Sequence, residues 1–212
     1  MGTIKKGILG GFSGKVGTVV GGSWKGIAYM RSLPQKVKNP RTEGQVSQRS
    51  KFALTMYYLK PMTAFLRTGW KLYAHRQSPI NAAMSYALAN AVTGAYPDYE
   101  IDPSKVLVSR GSLATAVNAN ANDVGGSIDI SWDDNSNVSN AKQTDKALVA
   151  IVNPTKGEAV TITAGEERMT GNQNTVIPAD WSGDEVQVYL GFISEDGKEV
   201  SNSVYLGAIP IA

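Results

Sequence analysis

Residues 7–32 read GILGGFSGKVGTVVGGSWKGIAYMRS, and glycine recurs in this stretch beside short runs of β-branched and aromatic residues. Over residues 16–31 the runs VGTVV and GIAYMR flank the segment GGSWK. Because β-prone runs on either side of a glycine-rich turn favour antiparallel pairing, the pattern predicts a β-hairpin over these residues. The chain is therefore expected to begin with a small glycine-rich β element.

The same stretch contains Gly14-Lys15, which invites comparison with a phosphate-binding loop. Such a loop needs Gly, four residues, Gly-Lys and then Ser or Thr, so that backbone N–H groups hold phosphate and the hydroxyl holds magnesium. Leu9 stands where the first glycine belongs, and Val16 stands where the hydroxyl belongs. The spacing excludes a phosphate-binding loop.

Three helical runs follow the hairpin. The first is expected to start near residue 40, capped by Asn39 before Pro40 or alternatively by Thr42 with Gln45, and Pro61 should end or kink it. The second runs from Pro61 to Arg76, and the third from Ser78 to Gly94. The residues at core-facing spacing are Val46, Ala53, Leu54 and Tyr57 in the first run and Phe65, Leu66, Trp70 and Tyr73 in the second.

Beyond residue 100 the period changes from helical to alternating. Seven short β-prone runs are separated by turn-forming segments such as DDNSNVSN and EDGKE. Seven strands in about 110 residues indicate an immunoglobulin-like sandwich. The segment DEVQVYLGFISEDGKEVSNSVYLG resembles a fibronectin type III-like module, with Val186, Val188 and Leu190 facing the core. The predicted fold class is α+β: a hairpin plus about three helices in residues 1–100, then an all-β immunoglobulin-like sandwich in residues 101–212.

The two halves carry opposite charge, although the whole 212-residue chain has a net charge of only +3. Residues 1–100 contain 14 Lys and Arg against 3 Asp and Glu, a net charge of +11. Residues 101–212 contain 7 against 15, a net charge of −8. Such asymmetry indicates either a polyanionic partner for the basic half or attraction between halves, within one chain or between chains.

No residue pattern points to catalysis, a cofactor or a metal. The chain has no cysteine and a single histidine, His75, which is expected at the end of a helix in a structural role. The paired acids Asp133-Asp134, Glu166-Glu167, Asp184-Glu185 and Glu195-Asp196 lie in or beside apparent turns. DDNSNVSN lacks the spacing of a calcium loop. We expect a protein that is not an enzyme and has no cofactor.

No segment has the pattern of a signal peptide, and no window approaches the roughly 20 apolar residues that a membrane span needs. The expected location is therefore the cytoplasm or a virion, without a membrane span.

The segment GKVGTVVGGSWKGIAYMRSLPQKVKNPRTEGQVSQRSKF, followed by helices with Trp70 and then a β-sandwich, resembles an uncharacterised family from Bacteroidota and their phages and prophages. That family shares G-K-V-G, a W-K-G-type hairpin, an R-S-x-P exit and an N-P-R-T helix start. The resemblance spans nearly the whole chain, and N-P-R-T is its most specific part. It implies an unannotated function with a virion-associated or assembly role, and it implies no catalytic residue.

The first functional hypothesis is a non-enzymatic structural or interaction protein whose basic half docks to a protein partner or to another copy. The alternative is sequence-independent binding of DNA or RNA by residues 1–100, and an enzyme ranks third. The predicted interaction residues are cationic and aromatic: Lys15, Trp24, Lys25, Tyr29, Arg31, Lys36, Lys38, Arg41, Arg49 and Lys51.

Overall fold

The structure is a computed structural model that describes residues 2–4, 7, 10–24, 26–35, 41–74 and 77–212. The chain divides into two compact units, Met1–Gln45 and Val46–Ala212. The predicted boundary at residue 100 lies inside the second unit. The helices downstream of residue 45 and the strands beyond residue 90 therefore belong to the same unit.

The first unit contains a four-stranded antiparallel sheet. Its strands are β1 (Thr3–Ile4), β2 (Phe12–Val16), β3 (Val19–Trp24) and β4 (Ile27–Ser32), paired in chain order. The predicted turn segment Gly21–Trp24 is strand, because β3 pairs with β4 from Val19 opposite Ser32 to Trp24 opposite Ile27. A second hairpin joins β2 to β3 through Gly17, whose φ of 57° suits glycine.

One long helical segment and one shorter helix follow. The segment consists of α1 (Glu43–Leu59), a 3-10 turn at Lys60–Met62 and α2 (Thr63–Gly69), so Pro61 interrupts the helix as its ring requires. A further 3-10 turn spans Lys71–Tyr73, and α3 runs over Pro79–Asn90. Ser78 caps α3, since its Oγ accepts a hydrogen bond from the Asn81 N–H at 3.2 Å.

Nine further strands lie in the second unit. A hairpin of β5 (Val92–Ala95) and β6 (Asp98–Ile101) occupies the place where the third helix was expected to end. The remaining strands are β7 (Val117–Asp123), β8 (Ser127–Asp133), β9 (Lys146–Asn153), β10 (Glu158–Ile162), β11 (Asn172–Val176), β12 (Glu185–Ile193) and β13 (Val204–Pro210). They form a four-stranded sheet in the order β10-β9-β12-β13 and a three-stranded sheet in the order β11-β8-β7.

The four-stranded sheet is the middle layer of the second unit. On one face Val149 and Val188 pack against Ile128 and Ile130 of the three-stranded sheet, which makes a β-sandwich. On the other face a second cluster joins residues of β9 and β12 to the helices. Strand β9 is consequently buried along both faces, from Ala147 to Asn153. Its continuous apolar run is what a strand with two covered faces needs.

Two successive hydrogen bonds between tyrosine hydroxyls and a carbonyl link α1 to the four-stranded sheet. The Tyr189 hydroxyl donates to the Pro103 carbonyl at 2.9 Å. The hydroxyls of Tyr58 and Tyr189 are 2.7 Å apart. Because the single proton of Tyr189 is already donated to Pro103, Tyr58 must be the donor in that pair. Both rings are buried, so the bond between the two hydroxyls joins α1 to β12 in the interior of the unit.

A buried ion pair fastens one end of the sandwich. The guanidinium of Arg168 lies 3.1 Å from the Asp145 carboxylate, and both side chains are fully buried. Arg168 also donates to Asn135 Oδ1 at 2.6 Å and to the Ala114 carbonyl at 2.9 Å. Its guanidinium sits 3.8 Å from the centroid of the Phe192 ring.

The predicted fold class is wrong. The described residues are mostly β, in four sheets, with one long helical segment and one short helix instead of about three helices before a single immunoglobulin-like sandwich. The prediction fails because the helices pack against the sheet and share its hydrophobic core, instead of forming a separate core. Phe65, Leu66 and Trp70 are buried as predicted, but they share their cluster with strand residues such as Leu148 and Ala150.

The predicted core face of α1 is also wrong. Tyr57 is 52% exposed and Ala53 is exposed, whereas Thr55, Tyr58 and Leu59 are buried. The helix is rotated relative to the prediction because Tyr58 must reach Tyr189 in the sheet.

Candidate interaction surface of the N-terminal sheet

The strand register separates the side chains of the first sheet into two faces. Residues opposite each other on antiparallel strands point to the same side, and successive residues point to opposite sides. Lys15 lies opposite Val20, and Val20 lies opposite Arg31. Gly22 lies opposite Tyr29, and Trp24 lies opposite Ile27. All of these residues are therefore on one face.

This first surface is called the basic aromatic face. Its residues are Lys15, Val20, Gly22, Trp24, Ile27, Tyr29 and Arg31. Trp24 is 66% exposed, Ile27 70% and Tyr29 46%, and the three line an open pocket of ≈ 410 Å³. The Tyr29 ring lies over the backbone of Gly22, where a Cβ would come within 3.1 Å of the ring. Glycine at this position leaves space for the ring against the sheet.

The opposite surface is called the apolar face. Its larger residues are Ile4, Phe12, Val16, Val19, Ala28 and Met30. The Phe12 ring lies across Gly21, where a Cβ would stand 2.6 Å from a ring carbon. Ile4, Val16 and Met30 are more than half exposed. No Lys, Arg, Asp or Glu of the described strands lies on this face.

The described residues of the first unit form almost no interior. Among its described residues only Gly21 is buried, although apolar side chains cover one face and aromatic ones part of the other. An exposed two-sided sheet is marginally stable without a covering layer, because backbone pairing alone does not offset the loss of chain entropy. Large exposed apolar patches on folded proteins are typical of interaction sites.

The structure brings four of the ten predicted interaction residues together. Lys15, Trp24, Tyr29 and Arg31 share the basic aromatic face. Arg41 is exposed just before α1, and Arg49 lies on α1. Lys51, also on α1, places its Nζ 4.8 Å from the centroid of the Tyr99 ring. Lys25, Lys36 and Lys38 lie outside the described residues, as does His75.

Sequence reasoning missed the apolar face. A signal was present, because Phe12 and Val16 alternate with Ser13 and Lys15 along β2. It also missed a cation–aromatic cluster in the second unit. The guanidinium of Arg110 lies over the rings of three residues, at 4.5 Å from Tyr73, 5.5 Å from Tyr86 and 5.8 Å from Trp70. This cluster attaches the segment before β7 to the helices.

The turns that carry paired acids use those acids locally. The Lys198 N–H donates to the Asp196 carboxylate at 3.0 Å and holds the pKa of that carboxyl well below its usual range. In the same way, the Ser136 N–H donates to Asp134 Oδ1 at 2.9 Å. In the same loop Asn135 Oδ1 accepts from Arg168. Their oxygens already accept hydrogen bonds within the protein, so these loops offer fewer free ligands than the sequence suggests.

In the described part of the chain, no cluster of three or more His, Cys, Asp or Glu has the arrangement of a metal site. Within the same residues, no helix is long and apolar enough to cross a membrane.

Comparison with known proteins gives one relationship. Neither the curated proteins nor the solved structures yield a match. A family model described as a family of unknown function, DUF6266, matches residues 11–207, which include strands β2–β4 of the first sheet and nearly all of the second unit. The resemblance to an uncharacterised family is therefore confirmed at that level, and this chain belongs to the DUF6266 family.

Proposed function

We propose that this protein is a non-enzymatic interaction protein that self-associates through the apolar face of its N-terminal sheet. One observation carries the proposal: the first unit exposes apolar side chains and has Gly21 as its single buried residue among those described. The resemblance to proteins of Bacteroidota and their phages supports an assembly or virion-associated setting, in the cytoplasm or on a particle.

The energetic argument starts from the exposed area. Removing apolar surface from water contributes roughly 25 cal/mol per Å², and a well-buried Val, Ile, Phe or Met side chain contributes about 1.5–3 kcal/mol. Ile4, Val16 and Met30 retain at least half of their accessible surface in the single chain. A second layer on this face supplies the stabilisation that the first unit lacks.

A second copy of the chain fits this surface. The apolar face carries no charged residue in its described strands, so two copies pack face to face without burying a charge. Sheets pack in this way about 10 Å apart, as the two layers of a sandwich do. The contact is isologous and closes as a dimer. It directs both basic aromatic faces outward, where the charges of the two copies are screened by salt beyond about 8 Å.

The test is the mass of the full chain, measured by light scattering after size-exclusion chromatography over a wide range of concentration. We expect a dimer that dissociates on dilution. Val16→Glu with Met30→Glu should give a monomer at every concentration, because two carboxylates cannot be buried in the contact. The matched control is Val176→Glu with Met169→Glu, at exposed positions of the second unit, and it should remain dimeric.

Sulfate separates an apolar contact from a charged one. An apolar contact tightens in sodium sulfate, whereas attraction between basic and acidic parts of two chains weakens as salt rises. A wild-type chain that is monomeric throughout, a Val16→Glu/Met30→Glu variant that stays dimeric, or an oligomer that dissociates in sulfate would each contradict the proposal.

A further inference from the structure

Self-association through the apolar face gives no role to the residues of the basic aromatic face. Two cationic residues, Lys15 and Arg31, lie on the same side of the sheet as the rings of Trp24 and Tyr29. We propose that this face binds single-stranded nucleic acid, with phosphates near the cations and bases stacked on the rings.

Charge supports a polyanionic ligand. Residues 1–45 contain 8 Lys and Arg and a single acid, Glu43, which gives a net charge of +7. No salt bridge found among the described residues involves Lys15 or Arg31. Both cations are exposed and can reach a phosphate backbone, and the surrounding unit adds a field of the same sign.

The aromatic residues indicate that the ligand has accessible π-faces. Trp24 and Tyr29 stand at the end of the β3–β4 hairpin, and Ile27 completes the apolar pocket between them. In proteins that bind single strands without sequence preference, a positive surface follows the backbone while aromatic side chains stack on successive bases. The sheet of the first unit combines both features on one side.

A single strand fits better than a duplex. Bases in a duplex are stacked on each other, so their faces are closed to Trp24 and Tyr29. Reading a major groove requires an inserted helix or two-stranded ribbon that carries polar groups to the base edges. The exposed hairpin end carries rings and an isoleucine instead. Stacking therefore predicts a preference for unpaired bases and little preference among sequences.

The experiment is fluorescence anisotropy of the full chain with labelled oligothymidylate, compared with a labelled duplex of equal length across a salt series. We expect tighter binding to the single strand and a linear fall of log affinity with log salt. Trp24→Ala and Tyr29→Ala should each weaken binding about 5- to 100-fold, the range expected for loss of one stacked base. Lys15→Gln and Arg31→Gln should each reduce the salt slope by about one.

Matched variants test location. Tyr57→Ala removes a ring that is 52% exposed in the second unit, and Lys60→Gln with Arg67→Gln removes two exposed cations of the helical segment. These variants should bind as the wild type does. Trp24→Phe keeps a stacking ring and should retain most of the affinity, which separates lost stacking from a misfolded sheet.

The result also distinguishes the two faces. A monomeric Val16→Glu/Met30→Glu chain should bind a short oligothymidylate, because those substitutions lie on the opposite face. Equal affinity for duplex and single strand, no binding at low salt, or equal losses in the Trp24 and Tyr57 variants would each overturn the inference.

Discussion

The hydroxyls of Tyr58 and Tyr189 and the Pro103 carbonyl are joined by two successive hydrogen bonds. Removing the two hydroxyls should therefore have strongly non-additive effects on the free energy of unfolding. Tyr58→Phe removes a donor to Tyr189 but leaves the bond from Tyr189 to Pro103 intact. We expect a loss of about 1 kcal/mol in the free energy of unfolding, the net value of one hydrogen bond. Tyr189→Phe leaves two groups without a hydrogen-bond partner, the buried Tyr58 hydroxyl and the Pro103 carbonyl. We expect it to cost about 2–4 kcal/mol.

The double variant Tyr58→Phe/Tyr189→Phe tests whether the effects of the two substitutions are coupled. With both hydroxyls absent, only the partly buried Pro103 carbonyl lacks its partner. The double variant should therefore be no less stable than Tyr189→Phe alone, with a coupling energy of about 1 kcal/mol or more between the two sites. The assay is urea unfolding followed by tryptophan fluorescence and far-ultraviolet circular dichroism. Additive losses would refute the hydrogen bond between the two hydroxyls.

Three other measurements check the fold. Burial raises the pKa of Tyr58 and Tyr189 above the ordinary value of 10.0. The free energy of unfolding should therefore be unaffected by these groups below pH 10 and should fall above it, by about 1.4 kcal/mol per pH unit for each tyrosine. Unfolding curves recorded at alkaline pH measure this loss. Arg168→Met should cost about 3–5 kcal/mol in urea unfolding by leaving Asp145 charged and unpaired, and adding Asp145→Asn should restore part of it. Gly21→Ala should abolish the dimer in light scattering, because its Cβ overlaps the Phe12 carbonyl, whereas Gly44→Ala meets no atom within 4 Å and should not.

Parts of the second unit follow from the sequence. Alternation placed Val186, Val188 and Leu190 on one face of a strand, and all three are buried. The segment KALVAIVN, residues 146–153, is one of the seven β-prone runs beyond residue 100, and its unbroken apolar character also indicates that both faces are covered. That property requires a third layer, which the helices provide. The helices were instead assigned to a separate half because the residue pattern changes from helical to alternating near residue 100, and that change does not show which elements pack together.

The candidate site was only half predictable. Residue type alone selected Lys15, Trp24, Tyr29 and Arg31. Their common face depends on a register in which β3 continues to Trp24, through four residues that the sequence assigned to a turn. Gly21 and Gly22 look like turn residues by composition. In the sheet they are strand residues whose missing side chains make room for Phe12 and Tyr29. Turn and strand propensities cannot distinguish these two uses of glycine, because the need for glycine comes from an aromatic ring on a neighbouring strand.

The two faces of the first sheet differ only by odd and even position along each strand. Inserting or deleting one residue between β3 and β4 would shift every later pairing by one and send Tyr29 and Arg31 to the side now held by Met30 and Ala28. Relatives of this chain are therefore expected to keep the length of the hairpin constant and to keep glycine at positions 21 and 22, while side-chain size varies elsewhere in these strands. The length of this hairpin therefore decides which side chains share a face of the sheet.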